Sequence, residues 1–551
     1  MLQKTLKNQT NMLKKNILTG LIYFIFVMLT HSQTNKAHYE VIPLPNKIVY
    51  PAGKGFVLDK DAVIEYPVTN KILQSNATFL ADYIEEVIGQ ALKIQSRPKK
   101  KNYIRLELDG NIENQEGYEI EIDQKGIVIK GLTEAGIFYG IQTLRKSLPV
   151  NPVEQVFMPA VVITDFPRFP YRGMMLDVAR HFTSLENVKT YIDILSLHNV
   201  NHLHLHLTDD QGWRIEIKKY PLLTEIGSKR AETVIGKNTG EYDGIPHKGY
   251  FTQEEMKELI TYAKARFITI IPEIDLPGHM LAALAGYPEL GCTGGPYEVW
   301  TKWGVSDDVL CAGNEKILTF IEDILTEVAA LFPAEYVHIG GDECHKTRWK
   351  ACEKCQEKIK SLGLVTDEYF TAEERLQSYV IAHAEKVLNN HGKKMIGWEE
   401  ILQGGVSKSA TIMSWRARGT EIKAAKSGNH VIMTTKTSLY FDYYQAKNKE
   451  NEPFAIGGYV PVQKVYEFNP VPEELTEEEG KSIIGVQANV WTEYMPNFSH
   501  VQYMILPRLA ALCEVQWMQQ EKRNFPDFAQ RVPMMIEKYR KYRYNFRKPD
   551  F

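Results

Sequence analysis

Two adjacent carboxylates, Asp342 and Glu343, stand at the end of a short apolar segment and directly follow two glycines. Adjacent carboxylates repel each other and partial burial disfavours the ionised form, so we expect the pKa of one of them to rise. A carboxyl with a raised pKa can act as a general acid near neutral pH. An isolated Asp-Glu pair usually lies in a solvated loop, but Gly340 and Gly341 allow a sharp turn that directs both side chains to one place. The pair is therefore the first candidate for catalysis.

The segment before this pair is the fourth of eight short apolar segments in the second part of the chain. They are Gly173–Val178, His202–Thr208, Phe267–Ile274, Tyr336–Gly340, Lys394–Trp398, Thr411–Trp415, His430–Thr435 and Ile483–Val490. Helical patterns intervene at Leu185–His198, Thr252–Arg266, Glu315–Leu331 and Ala372–His391. Strands without alternation are typical of a sheet buried on both faces. Eight such units predict an α/β fold, a (β/α)8 TIM barrel.

Polar and aromatic side chains gather at the carboxyl ends of these segments, where active sites of this fold lie. In chain order they are Asp177, Arg180, Asp209, Asp210, Glu273, Asp275, His279, Asp342, Glu343, Trp398, Glu399, Glu400, Trp415, Tyr440, Asp442, Trp491 and Glu493. Carboxylates and arginine bind hydroxyl groups through charge-assisted hydrogen bonds, and aromatic rings stack on sugar faces. A single Trp is more often part of a core, but three at predicted strand ends favour ligand contact. The set predicts a neutral, polyhydroxylated ligand.

Four motifs, in order along the barrel, closely resemble those of glycoside hydrolase family 20, whose members are β-N-acetylhexosaminidases. The motifs are Asp177–Phe182 (DVARHF), His204–Trp213 (HLHLTDDQGW), Glu273–His279 (EIDLPGH) and His338–Glu343 (HIGGDE). The part of the chain before the barrel also looks like that of the family. No catalytic position departs from the family pattern.

The resemblance implies a retaining, substrate-assisted hydrolysis, in which the 2-acetamido oxygen of the substrate attacks C1 and forms an oxazolinium intermediate. Such a tethered nucleophile has a high effective molarity, so no enzyme carboxylate needs to attack. In this scheme Glu343 is the general acid/base, Asp342 binds the acetamido N–H and Tyr440 orients the acetamido oxygen. His279 and Asp209 would form a relay behind the acid.

The resemblance also implies which residues hold the sugar. Arg180 would bind the 3- and 4-hydroxyls, and Asp442 and Glu493 the 4- and 6-hydroxyls. The rings expected to enclose the sugar and its acetamido methyl are those of Trp398, Trp415 and Trp491. The family needs no metal and no organic cofactor. Its substrates are oligosaccharides or glycoconjugates that end in β-linked N-acetylhexosamine, cleaved from the non-reducing end; the preference between GlcNAc and GalNAc stays open.

Two other functions compete with this interpretation. His202, His204 and His206 alternate along the second strand and share one face, as in some metal-dependent hydrolases. Such a site needs further ligands from other strands, and those strand ends carry mostly acids and rings. A carbohydrate-binding protein without activity could keep the Trp rings and Arg180, but it would have no use for the Asp-Glu pair.

The sequence before the barrel predicts a signal for export and a second domain. Lys14 and Lys15 precede an apolar run, Ile17–Leu29, shorter than the about 20 residues of a membrane-spanning helix. Residues 1–34 are therefore expected to be a signal peptide, which places the mature protein in the periplasm or outside the cell. Residues 38–165 mix strands with two helices and predict a supporting α+β domain. Residues 168–551 would form the catalytic barrel with its C-terminal helices.

Composition excludes several classes of protein. The 551 residues include 65 Lys plus Arg and 68 Asp plus Glu, which gives a net charge of −3. A charge so near neutral provides no electrostatic footprint for nucleic acid. Hydrophobic residues at 44% and charged residues at 24% are ordinary for a globular protein and argue against disorder.

Six cysteines become relevant because export permits disulfides. Cys292 and Cys311 flank one loop and are predicted to form a disulfide. Cys344, Cys352 and Cys355, with His345, match a four-ligand zinc site only weakly, because two ligands are adjacent and there is a single CxxC. A disulfide within that trio is favoured instead, with the pair left open. The sixth, Cys513, lies in an apolar helical stretch and is expected in the core.

Overall fold

A computed structural model describes residues 35–416 and 419–551. The chain divides after Phe166 into two compact units. The predicted signal peptide, residues 1–34, lies outside the described residues. Within the described part of the chain, no helix combines the length and the apolar character needed to cross a membrane.

The described part of the N-terminal unit contains a seven-stranded mixed sheet and two helices. In spatial order the strands are Lys47–Val49, Val161–Asp165, Tyr118–Asp123, Gly126–Gly131, Tyr103–Leu108, Val63–Glu65 and Lys93–Gln95. A separate two-stranded ribbon joins Phe56–Leu58 and Val156–Met158. The helices are Lys71–Ile88 and Glu134–Ser147. This arrangement confirms the predicted α+β architecture of the unit.

The first helix, Lys71–Ile88, has a defined cap at each end. Asn70 caps it at residue 71 by accepting from the N–H groups of Ile72 and Leu73. It ends at Ile88 because Gly89 adopts a left-handed conformation with φ of 72°. Its buried face begins in the first turns, with Leu73, Ala77 and Leu80 at helical spacing.

The C-terminal unit is a closed barrel of eight parallel strands, as predicted. Its strands, in chain order, are Tyr171–Asp177, His202–His206, Thr269–Glu273, Tyr336–His338, Lys394–Trp398, Thr411–Ser414, Val431–Met433 and Ile483–Ala488. Each pairs with the next, and the eighth closes on the first with Gly485 opposite Tyr171. Seven of the eight strands end one or two residues before the predicted limit, because the final residues already turn into the loops of the active face.

Helices cover the outside of the barrel. Those of eight or more residues are Leu185–Leu197, Gln253–Lys264, Lys316–Leu331, Glu353–Ser361, Ala372–Asn390, Thr420–Ser427, Phe498–Ile505, Arg508–Trp517 and Phe525–Lys541. Two of the predicted helix starts have a complete capping box, in which Thr252 pairs with Glu255 and Thr371 with Glu374. Inside the barrel, Tyr171, Ile271, Ile396, Met413 and Ile432 pack into one buried cluster. This core makes the strand ends a rigid frame for the loops above them.

Candidate active site

A pocket opens at the carboxyl ends of the barrel strands. Its lining comprises Arg180, Asp342, Glu343, Trp398, Trp415, Lys436, Tyr440, Asp442, Tyr443, Ile456, Trp491 and Glu493. Nine of the eleven predicted site residues are among them; His279 and Asp209 lie behind Asp342. The cavity measures about 210 Å³, below the roughly 300–1,000 Å³ of sites for drug-sized ligands. It therefore suits one small ring better than a long chain.

The turn that presents the Asp342–Glu343 pair requires glycine. Gly340 and Gly341 have φ of 64° and 94°, a region that glycine enters without strain. A Cβ atom on Gly340 would lie 1.7 Å from Oδ1 of Asp275, so no other residue fits there. The same Oδ1 accepts the N–H of Gly341 at 3.1 Å. Asp275 thus holds the turn in place.

The two carboxylates of the pair have different surroundings. The Asp342 side chain is 13% exposed, whereas that of Glu343 is 44% exposed. Burial raises the pKa of Asp342, and the charge of Glu343 acts in the same direction. Oδ1 of Asp342 is buried and has no hydrogen-bond partner among the described residues. Asp342 is therefore the inner group of the pair and Glu343 the outer one.

A chain of ion pairs runs from the carboxylate pair to Arg180. Nε2 of His279 lies 3.7 Å from Oδ2 of Asp342 and 3.9 Å from Oε2 of Glu343. Its Nδ1 is 3.1 Å from Oδ1 of Asp209, whose Oδ2 is 2.8 Å from Nη2 of Arg180. Burial opposes protonation of His279, but the charges of Asp209 and Asp275 raise its pKa well above the usual range. A cationic His279 can stabilise negative charge on either carboxylate.

Glu273 anchors a second group of histidines under the pocket. Its carboxylate lies 3.0 Å from Nε2 of His204 and 3.0 Å from Nδ1 of His338, and it hydrogen-bonds His206 more closely still. It also accepts Nε1–H of Trp398 at 2.8 Å. Burial alone would raise the pKa of Glu273, but His206 and His338 hold it well below the usual range.

This anchoring role is not apparent from the sequence. The alternation of His202, His204 and His206 is compatible with a metal site on one face of the strand, yet the structure separates them. His204 and His206 contact Glu273, whereas the ring of His202 stacks on Tyr171 with centroids 4.2 Å apart. The sequence does indicate one part of this arrangement, because Glu273 is a carboxylate at the end of the neighbouring strand.

Aromatic rings form the walls of the pocket. Trp415 stacks on Tyr440 with centroids 6.2 Å apart, and Trp398 contacts Trp491 at 5.8 Å. The guanidinium of Arg180 lies 5.0 Å from the ring centre of Trp491. The indole of Trp415 donates to Glu400 at 3.1 Å, and burial raises the pKa of Glu400 to about 8. The rings are held by polar contacts at their edges, which leaves ring surface to line the cavity.

Two further carboxylates, Asp442 and Glu493, line the pocket. Burial raises the pKa of both, and the charge of Glu493 adds to the effect at Asp442. Both side-chain oxygens of Asp442 are buried without a partner from another described residue. The chain at Phe441 is fixed because its N–H donates to the carbonyl of Asn489 at 2.8 Å. Unpaired buried oxygens in a rigid wall can accept hydroxyl donors from a ligand.

Lys436 and Tyr443 also line the pocket, although the sequence did not single them out. Both lie in the segment after the seventh strand, near Tyr440. Nζ of Lys436 is 5.1 Å from the ring centre of Trp415. Their proximity to Tyr440 in the chain was the only available signal.

The predicted disulfide between Cys292 and Cys311 is not formed. All six cysteines lie in the described part of the chain and all are free thiols, so the trio contains no disulfide either. The structure brings Cys292 and Cys311 together with Cys352 and Cys355, and three pairs of sulfurs are 3.7–3.9 Å apart. A disulfide requires about 2.05 Å. Cys513 is buried in a helix, as predicted.

The chain is similar in sequence to known proteins over most of its length. Residues 169–520 match "Glycosyl hydrolase family 20, catalytic domain", and residues 38–166 match "Glycosyl hydrolase family 20, domain 2". A beta-hexosaminidase of Porphyromonas gingivalis is 44% identical over 502 residues, which are 90% of this chain and 62% of that protein. A beta-hexosaminidase of Vibrio furnissii is 35% identical over 483 residues, 87% of this chain and 76% of that protein.

A solved structure is similar over nearly the whole chain. It is the GH20 exo beta-N-acetylglucosaminidase of Vibrio harveyi in complex with N-acetylglucosamine. The TM-score is 0.81 at 33% sequence identity, and the match covers 94% of this chain and 79% of that chain.

Proposed function

The chain belongs to glycosyl hydrolase family 20, and from the geometry of its pocket we propose that it is an exo-acting β-N-acetylhexosaminidase with a retaining, substrate-assisted mechanism. The observation that carries this proposal is the difference in depth between Asp342 and Glu343. The more buried carboxylate, Asp342, is placed to bind a group of the bound sugar itself. The outer one lies where a leaving group would enter solvent.

Binding of the terminal sugar follows from the walls of the pocket. Arg180 and the unpaired oxygens of Asp442 would bind ring hydroxyls, with Glu493 beside them. Trp398, Trp415 and Trp491 would cover the apolar faces of the ring and the acetamido methyl. The small cavity favours one sugar at the non-reducing end, in agreement with an exo action.

In the first step the acetamido carbonyl oxygen attacks C1 while Glu343 gives its proton to the glycosidic oxygen. The C1–O bond breaks, the aglycone leaves as an alcohol and an oxazolinium ion remains. Asp342 accepts a hydrogen bond from the acetamido N–H and faces the positive charge that develops there. The phenol of Tyr440 would donate to the acetamido oxygen and orient it.

In the second step Glu343, now a carboxylate, takes a proton from water, and the water oxygen adds to C1. The C1 bond to the acetamido oxygen breaks, and the two inversions together retain the β configuration. The cation at His279 would stabilise the carboxylate form of Glu343 between the steps. No enzyme carboxylate forms a bond to C1, because the tethered acetamido group supplies the nucleophile.

The test is hydrolysis of aryl β-N-acetylglucosaminides and β-N-acetylgalactosaminides, followed by NMR. We expect release of the aglycone, with the β-anomer of the sugar as the first product. The matched control is the corresponding aryl β-glucoside, which lacks the acetamido group and should be turned over very slowly. An α-anomer as first product, or equal rates on the glucoside, would refute the mechanism. Binding of the amino sugar without turnover would refute the activity.

We also propose that the protein is exported. The support is the charged and apolar pattern of residues 1–34, and N-terminal sequencing of the protein recovered outside the cytoplasm would check it. A mature chain that begins at Met1 would contradict this proposal.

A further inference from the structure

Four cysteines from two loops meet at one point outside the pocket. Cys292 and Cys311 lie between the third and fourth barrel strands, and Cys352 and Cys355 follow the fourth. Their Sγ atoms all lie within 4.8 Å of one another. Sγ of Cys311 is 3.7 Å from the sulfurs of Cys352 and Cys355, and Cys292 is 3.9 Å from Cys355. We call these four residues the cysteine cluster.

The backbone of the first loop brings its two cysteines side by side. Gly291 and Leu310 form an antiparallel bridge, and Cys292 and Cys311 are its immediate neighbours on the two segments. The N–H of Cys311 donates to the carbonyl of Leu290 at 2.8 Å. This pair is therefore fixed by main-chain contacts that do not depend on a bond between the sulfurs.

The second loop presents its two cysteines at a helix start. Cys352 ends the helix Thr347–Ala351 and precedes the helix Glu353–Ser361, whose first turn contains Cys355. Between the loops, Nε1–H of Trp349 donates to the carbonyl of Leu310 at 2.9 Å. The two pairs of cysteines thus face each other across a defined contact.

Gly313 allows the loops to approach closely. A Cβ atom at this position would lie 2.2 Å from the carbonyl carbon of Lys354 and 2.4 Å from the backbone nitrogen of Cys355. The N–H of Gly313 points at Sγ of Cys355, 3.4 Å away. An N–H donor directed at sulfur stabilises a thiolate more than a thiol, because it compensates negative charge.

The distances between the sulfurs distinguish two uses of four cysteines. Disulfides would need pairs of sulfurs at about 2.05 Å. Four thiolates around a tetrahedral zinc ion, with Zn–S of about 2.3 Å, have their sulfurs about 3.8 Å apart. Three of the six sulfur–sulfur distances, at 3.7–3.9 Å, match the tetrahedron, and the other three are within 4.8 Å. Burial agrees, since Cys311 and Cys355 are 1% and 0% exposed.

We propose that Cys292, Cys311, Cys352 and Cys355 bind one zinc ion as a structural tetrathiolate site. On binding, the four thiols release their protons to solvent and the sulfurs become the four ligands. All four positions of the ion are then occupied by protein, so it has no open position for substrate or water. The ion would instead join the loop before the fourth strand to the segment that begins with the Asp342–Glu343 pair.

The test begins with the wild-type full-length protein, purified without chelators or metal-affinity resins. Elemental analysis should find about one zinc per chain. An intact mass under denaturing, non-reducing conditions should correspond to six free cysteines. Chains with two disulfides and no zinc would overturn the proposal, as would reduced chains that take up no zinc from an equimolar solution. Iron in place of zinc would overturn the assignment of the metal.

Variants locate the site. Cys355→Ser should lower the zinc content at least about tenfold, because it removes a ligand. Cys513→Ser, which changes a buried cysteine outside the cluster, should leave it unchanged. Normal zinc content in Cys355→Ser would contradict the assigned ligands.

A second measurement applies if Cys355→Ser does not fold. The wild-type protein with cobalt in place of zinc should show the sulfur-to-cobalt charge transfer and intense visible bands of a tetrahedral tetrathiolate. An octahedral cobalt spectrum would overturn the proposal. Both readouts are independent of turnover, so a failed hydrolysis assay would leave the zinc site standing.

Discussion

The pocket and the cysteine cluster draw on neighbouring loops of one barrel, but their polar groups are satisfied in opposite ways. Behind the pocket, charged side chains have protein partners, as Asp209 has in Arg180 and His279. In the pocket lining, some carboxylate oxygens have no hydrogen-bond partner among the described residues, such as those of Asp442. In the cluster four sulfurs face one another, and the N–H of Gly313 points at one of them. Isolated unpaired oxygens suit a substrate that binds reversibly, whereas converging sulfurs suit a permanently bound ion.

The largest effect expected from this contrast is in Glu343→Gln. The amide keeps the shape of the side chain but cannot give up a proton, so kcat/KM for aryl N-acetylglucosaminides should fall about 10²–10⁴-fold. The zinc content and the thermal unfolding midpoint should match those of the wild type. Glu474→Gln, at an exposed acid, is the matched control. Full activity in Glu343→Gln would mean that another group is the acid.

A smaller loss of turnover is expected for Asp342→Asn. An amide cannot balance the positive charge of the oxazolinium ion, so kcat on 2-acetamido substrates should fall about 10²-fold. Steady-state kinetics should show the loss in kcat more than in KM. Asp442→Asn is the useful comparison, because its oxygens would bind hydroxyls in ground and transition state alike and its effect should appear mainly in KM. The reverse pattern would exchange the two roles.

The smallest effect concerns stability, and it tests whether the histidines under the pocket act as permanent ion pairs. Burial opposes protonation of His206, but the charges of Glu273 and Asp209 raise its pKa to about 10. A raised pKa gives stability that is full below the unfolded value of about 6.5 and is lost as the pH rises towards 10. The unfolding midpoint should therefore fall with pH in this range.

The variant His206→Gln isolates that contribution. It should have a lower unfolding midpoint at pH 6, and its free energy of unfolding should change less between pH 7 and 10. The slope of that free energy against pH should differ from the wild-type slope by up to about 1.4 kcal/mol per pH unit. Zinc content should not change. His345→Gln, at an exposed histidine, is the control. Identical slopes in wild type and His206→Gln would show that His206 is neutral in the folded protein.

The sequence allowed the barrel to be predicted because each strand is short, apolar and followed by a polar loop. The strand Lys394–Trp398 was predicted with the bounds that the structure has. The site residues could be assembled from local motifs, since the carboxyl ends of parallel strands meet at one face. Their catalytic roles stay predictions, which the variants above examine.

Features that depend on side chains from distant segments were harder to predict. The first loop contains both Cys292 and Cys311, so their proximity was foreseeable, but nothing local indicates that Cys352 and Cys355 join them. The same holds for Glu273, whose three histidine partners come from two strands. In both places the missing information was which residues of separate loops or strands converge.

The contact between Gly340 and Asp275 has a consequence for how such a sequence can change over generations. A methyl group at position 340 would occupy the place of the Asp275 carboxylate. A single substitution there displaces the support of the turn, and a single substitution at 275 leaves the N–H of Gly341 without its acceptor. The backbone Cα of Asp275 would also lie 2.8 Å from that methyl group, so no replacement at 275 makes room for a side chain at 340.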